Sequence, residues 1–311
     1  MNTLTIENKL IEKLDLLKKQ VGKTPLFDFS GLVNNTSVNL YGKLEWKQIS
    51  GSVKARAAYG IIRSAIETGR LNETKEILDA SSGNTGIAYA AIAKELGLKI
   101  TLVIPENASQ KRKDILKSLG AKVIFSSPFE GTDGAQALAK EWNEHFPGKF
   151  FYADQYNNDA NWIQHYQTTG PEIWEQTNGQ VTHYAASLGT TGTFTGTGRY
   201  LKDKNPEVCL VQMQPDSPMH GLEGWKHLET AKVPGIFDFR LADQNIEINS
   251  EDALELIKTV YEQYNLKISP SAAASLVGAK KIAESLQTGT VVTVLADDGT
   301  KYEEVYKELE I

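Results

Sequence analysis

Glu76-Ile77-Leu78-Asp79-Ala80 is a short apolar run that ends in the turn Ser81-Ser82-Gly83-Asn84-Thr85-Gly86. Residues 87–96 then carry a helical pattern with small residues on one side, and residues 98–104 form another apolar run closed by Pro105. A strand, a tight turn, a helix and a second strand joined by such short connections predict a parallel βαβ unit.

The same alternation extends to either side. Upstream, 39–44 predicts a strand and 57–68 a helix. Downstream, 110–119 predicts a helix ending at Gly120, a suitable C-cap, and 122–125 a strand. The pattern resumes with strands at 182–187, 209–214 and 290–296, and helices at 194–202, 251–263 and 271–286. Between Pro128 and Asn161 the periodicity weakens, interrupted by Gly131, Gly134 and Pro147, and a domain crossover is expected there. The fold class is α/β, with each of two domains a mostly parallel twisted sheet flanked by helices.

Length and composition fit this. At 311 residues the chain exceeds what one core usually serves, so two domains are expected. Hydrophobic residues make up 41% and charged residues 23%, ordinary for a soluble globular protein. A net charge of -6 gives no sign of a nucleic-acid surface, and the basic cluster Lys111-Arg112-Lys113 reads as a solvated helix face. Cys209 is the only cysteine, so no intrachain disulfide can form, and its apolar setting predicts a buried, inert thiol. The first twenty residues read as an amphipathic helix and not as a signal peptide, and no apolar run reaches membrane-spanning length. A cytoplasmic location is expected. No His/Cys/Asp spacing suggests a metal site.

Three segments carry chemistry. Gly189-Thr190-Thr191-Gly192-Thr193 follows an apolar strand and opens a helix. Its glycines let the backbone approach an anion, while N–H groups of the first helical turn and the threonine hydroxyls donate to it. It lacks the Lys-Ser/Thr ending of a Walker loop, and Gly192, Gly196 and Gly198 miss the Rossmann spacing, so a single phosphate group fits better than a nucleotide. The turn from Ser81 to Gly86 offers donors for a carboxylate, though Ser and Asn are also common helix caps. Lys54, in Gly51-Ser52-Val53-Lys54-Ala55, stands where a turn gives way to a helix, and its small neighbours leave room for a flat ring. An amine and two such turns suit a phosphorylated aldehyde cofactor held as a Schiff base.

Together these segments resemble the fold-type II, β-replacing pyridoxal-phosphate enzymes (tryptophan synthase β-like), and within them the cysteine synthase (O-acetylserine sulfhydrylase) and cystathionine β-synthase group. The resemblance runs from Val21-Gly22-Lys23-Thr24-Pro25-Leu26 to Leu295-Ala296-Asp297-Asp298-Gly299-Thr300-Lys301-Tyr302. It implies pyridoxal 5'-phosphate as cofactor, with Lys54 as the Schiff-base and catalytic lysine. It implies Asn84 at the ring hydroxyl, Gly189, Thr190, Thr191, Gly192 and Thr193 around the phosphate, and Ser269 facing the pyridine nitrogen. Ser81, Ser82, Gly83, Thr85 and Gln155 correspond to residues that hold the substrate carboxylate.

The resemblance further implies a small mobile domain over 45–150, a large domain from 1–44 with 151–311, and a homodimer. The implied reaction is β-replacement of O-acetylserine by sulfide through an aminoacrylate. Cystathionine or lanthionine formation, an O-phosphoserine sulfhydrylase and a sulfide-releasing cysteine lyase share that chemistry, and a catalytically silent partner-binding homologue is a further alternative that intact Lys54 and Asn84 oppose.

Four stretches depart from the family pattern. Before Gly51-Ser52-Val53-Lys54 the usual Asn-Pro is replaced by Gln48-Ile49-Ser50. The residue after the lysine is Ala55 where Asp is usual. The usual Ser-Ser-Gly-Ala becomes Ser269-Pro270-Ser271-Ala272, and the usual Pro-Asp-Ser-Gly-Glu-Arg-Tyr becomes Ala296-Asp297-Asp298-Gly299-Thr300-Lys301-Tyr302. The segment from Pro215 to Trp225 falls where relatives shape the pocket for the second substrate, and Asp216, His220 and Glu223 are candidates to bind it. His165 and His183 read as structural.

Overall fold

The computed structural model describes residues 3–311. Among them the chain forms strands β1 (Leu26–Asp28), β2 (Val38–Leu44), β3 (Glu76–Ala80), β4 (Ile100–Pro105), β5 (Lys122–Ser126), β6 (Phe150–Tyr152), β7 (His183–Ser187), β8 (Cys209–Pro215), β9 (Gln244–Ile248) and β10 (Gly289–Leu295). They make two sheets, each within one of two compact units. Residues 1–22 and 54–161 form the first unit, and residues 23–53 and 162–311 the second.

The first unit holds the sheet β5-β4-β3-β6, parallel throughout. β3 and β4 are central and apolar along most of their length, as a strand covered on both faces must be. β5 and β6 are the edge strands, and β5 is exposed at Lys122 and Phe125. The helix Asn84–Leu96 connects β3 to β4 and ends at Gly97 in the left-handed conformation. The helix Thr3–Leu17 belongs to this unit, whereas the division implied by the resemblance puts residues 1–44 with 151–311. The reason is packing: Leu10, Leu14 and Leu17 are buried, Tyr59 donates its hydroxyl to the Leu14 carbonyl at 3.1 Å, and Lys13 reaches the Leu96 carbonyl at 2.9 Å.

The second unit holds the sheet β1-β2-β10-β7-β8-β9, parallel except for β1 against β2. The helices Ser250–Tyr264 and Pro270–Ser285 bury Ile257, Val260, Leu276 and Ala279 in one core with Val211, Met213 and Val291. Lys43 on β2 is fully buried and is satisfied by Glu172 at 2.8 Å, the Thr24 carbonyl at 2.9 Å and Gln176 at 3.0 Å. A buried ammonium needs such partners to remain charged. Cys209 is partly buried at the start of β8, and burial, with Asp243 nearby, pushes its thiol up from the usual range.

The expected helices start slightly earlier than their apolar patterns do. The second begins at Lys54, the third at Asn84, and the one after β7 at Gly192. In each case the first turn is made of the small or polar residues assigned to the preceding loop. Between Pro128 and Asn161 the chain is more regular than expected, with a helix over Gly131–His145 followed by β6. Gly131 opens that helix and Pro147 lies beyond its end, so both bound the element and do not break it.

Candidate active site

In the first unit, β3 delivers the chain to the turn from Ser81 to Thr85, and the helix Asn84–Leu96 begins within it. Ser81 curls back so that its hydroxyl accepts the Gly86 N–H at 3.1 Å. A Cβ on Gly86 would lie 2.2 Å from the Ser81 carbonyl oxygen, so only glycine permits the curl. The Thr85 hydroxyl donates to Gln155 Oε1 at 2.8 Å, and the Asn161 side chain holds the Gln155 carbonyl at 2.8 Å. Two segments far apart in sequence are thus joined, and Gln155 stands beside the turn. Lys54 is half-buried at the first position of its helix, ahead of the buried Ala55, Ala57 and Ala58.

Asp79, at the end of β3, gave no functional signal in the sequence. It is 2% exposed; Oδ1 accepts the Ala80 N–H at 2.8 Å, while Oδ2 and the buried Tyr89 hydroxyl each lack a partner. Burial pushes the Asp79 carboxyl up to about 7, the Ala80 bond works against this, and the Asp154 charge adds to it. Tyr89 faces it without reaching hydrogen-bond geometry, and its hydroxyl is pushed well up by burial and by Asp79. The discoverable sign was an acidic residue in an apolar strand just before the turn.

In the second unit, β7 leads into Gly189, Thr190 and Thr191, and Gly192 starts a helix of 13 residues whose N-terminal end favours an anion. Thr191 takes φ 70°, a left-handed conformation costly for a β-branched residue, and its buried Oγ1 has no partner. A Cβ on Gly189 would sit 2.1 Å from the Gly224 carbonyl oxygen. Thr193 Oγ1 lies 3.3 Å from His165 Nε2, whose Nδ1 lies 2.8 Å from Thr169 Oγ1, so His165 supports the turn from behind. Strained backbone and an orphaned hydroxyl at a helix start fit a phosphate group.

The segment from Ala296 to Gly299 organises the rest of this unit. The Val53 N–H donates to the Ala296 carbonyl at 2.8 Å, and Ser52 bridges Asp297. The peptide bond after Val53 leads directly to Lys54. Ile268 bridges Asp298, and the Gly299 N–H reaches the Lys267 carbonyl at 3.1 Å. Ser269, fully buried, caps the helix Pro270–Ser285 by accepting the Ala272 N–H at 3.1 Å, and Pro270 fills a first-turn position where a missing N–H costs nothing.

The loop after β8 splits its three candidates. Asp216 is exposed and accepts from Asn249 at 2.8 Å. His220 accepts the Leu222 N–H at 3.2 Å, and burial with His227 nearby lowers its imidazole below the usual range. Glu223 accepts the Tyr302 hydroxyl at 3.0 Å. The Lys226 N–H bonds the Leu188 carbonyl at 2.7 Å, so this loop is fastened to the Gly189 turn.

Residues 17–297 match the model of a family described as pyridoxal-phosphate dependent enzymes. The chain is 40% identical to a cysteine synthase of Aquifex aeolicus (strain VF5) over 93% of this chain and 90% of that protein. A cysteine synthase structure from Entamoeba histolytica superposes with a TM-score of 0.88 at 28% identity, covering 94% of this chain and 90% of that one. The structure of an O-acetylserine dependent cystathionine beta-synthase from Helicobacter pylori gives 0.86 at 30%, covering 93% and 96%. The matched residues span both small-residue turns, Lys54 and Ser269, and the chain belongs to the pyridoxal-phosphate dependent enzyme family.

Proposed function

We propose that this chain is a cysteine synthase that exchanges the acetoxy group of O-acetylserine for sulfide. The observation that carries the reading is the turn at Gly189 to Thr193: a left-handed threonine with an orphaned hydroxyl at a helix start, in a chain 40% identical to a cysteine synthase. When bound, the cofactor supplies an electron sink that makes α-proton removal and loss of the β-substituent feasible. Gly189, Thr190, Thr191, Gly192 and Thr193 would hold its phosphate, Asn84 its ring hydroxyl, and Ser269 its pyridine nitrogen. Lys54 would hold the aldehyde carbon, and its amine would serve as the base for the substrate α-proton.

Ser81, Ser82, Gly83 and Thr85 orient the substrate carboxylate together with Gln155. The Thr85–Gln155 bond arranges two of these groups before substrate arrives, which reduces the ordering cost of binding. In this reading residues 45–150 are the small mobile domain, which tightens on the substrate carboxylate and excludes water from the reacting atoms. A homodimer in the cytoplasm completes it, and light scattering after gel filtration checks the dimer.

One observation favours a second reading, in which a thiol amino acid such as homocysteine replaces sulfide. The loop from Pro215 to Trp225 is polar, and Tyr302 holds its Glu223 in place, a carboxylate suited to an ammonium group. Initial rates with O-acetylserine, O-phosphoserine, serine and cysteine, each against sulfide and homocysteine, separate the two. Fastest turnover of O-acetylserine with sulfide is expected. Turnover of homocysteine alone moves the assignment to cystathionine formation, and turnover of cysteine alone removes the synthase reading.

A further inference from the structure

A buried carboxyl with no task in the proposed function stands just ahead of Ser81. Asp79 is 2% exposed, and its Oδ2 has no hydrogen-bond partner. Tyr89 faces it from the helix Asn84–Leu96 that the turn opens, and the Tyr89 hydroxyl is also buried without a partner. Each of these atoms has given up water without a replacement bond, and a charge on Asp79 would add to that cost.

Asp79 adjoins the groups assigned to the substrate carboxylate. Its Oδ1 accepts the Ala80 N–H at 2.8 Å, and the next residue is Ser81. Gln155 Nε2 points at the Ala80 carbonyl from 3.5 Å, while Gln155 Oε1 accepts the Thr85 hydroxyl at 2.8 Å. No relay of bonds is needed for Asp79 to act on an anion held there. A charge in a buried setting is poorly screened, so it is felt across neighbouring residues.

The titratable groups around Asp79 leave it as the one that changes charge near neutrality. Tyr89 faces it from its helix, Tyr152 from β6, and Asp154 and Tyr156 from the chain just beyond β6. Asp133, on the helix Gly131–His145, acts on Tyr156. The β4 residue opposite Asp79 is the apolar Leu102. Burial pushes all three tyrosine hydroxyls up, so they stay neutral. Burial also pushes the Asp79 carboxyl up to about 7, aided by the Asp154 charge and opposed by the Ala80, Tyr89 and Gln155 contacts.

We infer that Asp79 sets the affinity of this turn for the substrate carboxylate: neutral, it leaves the turn and Gln155 able to hold an anion, and charged, it places a like charge behind them. The inference rests on the placement of the substrate carboxylate there in the proposed function. The coupling is reciprocal, so a bound carboxylate strengthens the hold of Asp79 on its proton. Asparagine at this position is permanently neutral and retains an acceptor for the Ala80 N–H.

The test is calorimetric titration of the holoenzyme between pH 6 and pH 8 with two probes. L-alanine is an amino acid without a β-leaving group, and L-alaninamide lacks the carboxylate. Melting temperatures at pH 6 establish that each variant is folded. For L-alanine, the ratio of the wild-type Kd to the Asp79→Asn Kd should be near one at pH 6 and about threefold or more at pH 8. For L-alaninamide it should stay near one. A ratio for L-alanine that does not change with pH overturns the inference, as does an equal rise for the amide.

A second variant decides the matter even where Asp79→Asn fails to fold. Asp154→Asn removes the neighbouring charge, so Asp79 should ionise at lower pH. The ratio of the Asp154→Asn Kd to the wild-type Kd for L-alanine should then pass through a maximum near pH 7, and a flat ratio overturns the inference. Thr85→Val separates the two levels. If it leaves L-alanine binding unchanged, the placement of the carboxylate is wrong and the inference falls with it. If it weakens binding while the Asp79→Asn ratio stays flat, the placement stands and Asp79 has only a structural role.

Discussion

The two small-residue turns look alike in sequence and are built differently. Each follows a parallel strand, opens a helix of 13 residues and depends on a glycine packed against a carbonyl oxygen. In the turn at Ser81 the side chains engage the protein itself, Ser81 with the Gly86 N–H and Thr85 with Gln155. In the turn at Gly189 the backbone is strained at Thr191 and its buried hydroxyl has no partner. A turn whose polar groups are already engaged can adjust to a ligand that comes and goes at each turnover. A turn with an unmet buried hydroxyl is completed by a ligand that stays. The first suits a substrate carboxylate and the second a cofactor phosphate.

The largest effect that breaks this contrast is Gly189→Ala. The new Cβ would meet the Gly224 carbonyl oxygen at 2.1 Å, and forcing backbone apart costs about 1–3 kcal/mol. Cofactor affinity, titrated by absorbance, should fall at least tenfold. Thr191→Val sharpens it. Removing an unpaired buried hydroxyl should stabilise the apoprotein in urea melts by about 1 kcal/mol while weakening cofactor binding. Stability and affinity moving together would mean that the hydroxyl has no ligand to meet. Thr85→Val, in the other turn, loses one hydrogen bond of about 1 kcal/mol and should raise the KM for the amino-acid substrate several-fold. The cofactor spectrum should not change.

A smaller effect lies just before the first turn, at Asp79. Its folded-state carboxyl is pushed up to about 7, above its unfolded value, so its contribution to stability is full below the unfolded value and is lost as pH rises through about 7. The wild type should lose melting temperature between pH 5 and pH 8, and Asp79→Asn should flatten that slope. Equal slopes for the two proteins would show that Asp79 titrates at its ordinary value. Tyr89, Tyr152, Tyr156 and Asp154 surround it, and all three tyrosines are pushed up by burial, so none of them gains charge in this window.

The strand-helix alternation was legible because parallel strands buried on both faces are continuous apolar runs, as β3, β4 and β10 are. The two turns were legible as turns because close backbone approach demands glycine, as at Gly86 and Gly189. The helix Gly131–His145 was not, since glycine at a helix start and proline past its end look like interruptions until the ends are known. Residues 1–22 fell on the other side of the division because nothing local records that Leu14 packs beside Tyr59. Asp79 stayed hidden for a related reason. Asp154, whose charge acts on it, lies far along the chain, and a charge in an apolar strand signals burial without naming its partner.

The central claim is the covalent hold on the cofactor by Lys54. Borohydride reduction of the purified holoenzyme, followed by peptide mapping by mass spectrometry, tests it most directly. The account predicts one pyridoxyl adduct, on the peptide that carries Lys54. An adduct on another lysine, or none in a protein that retains activity, would contradict it.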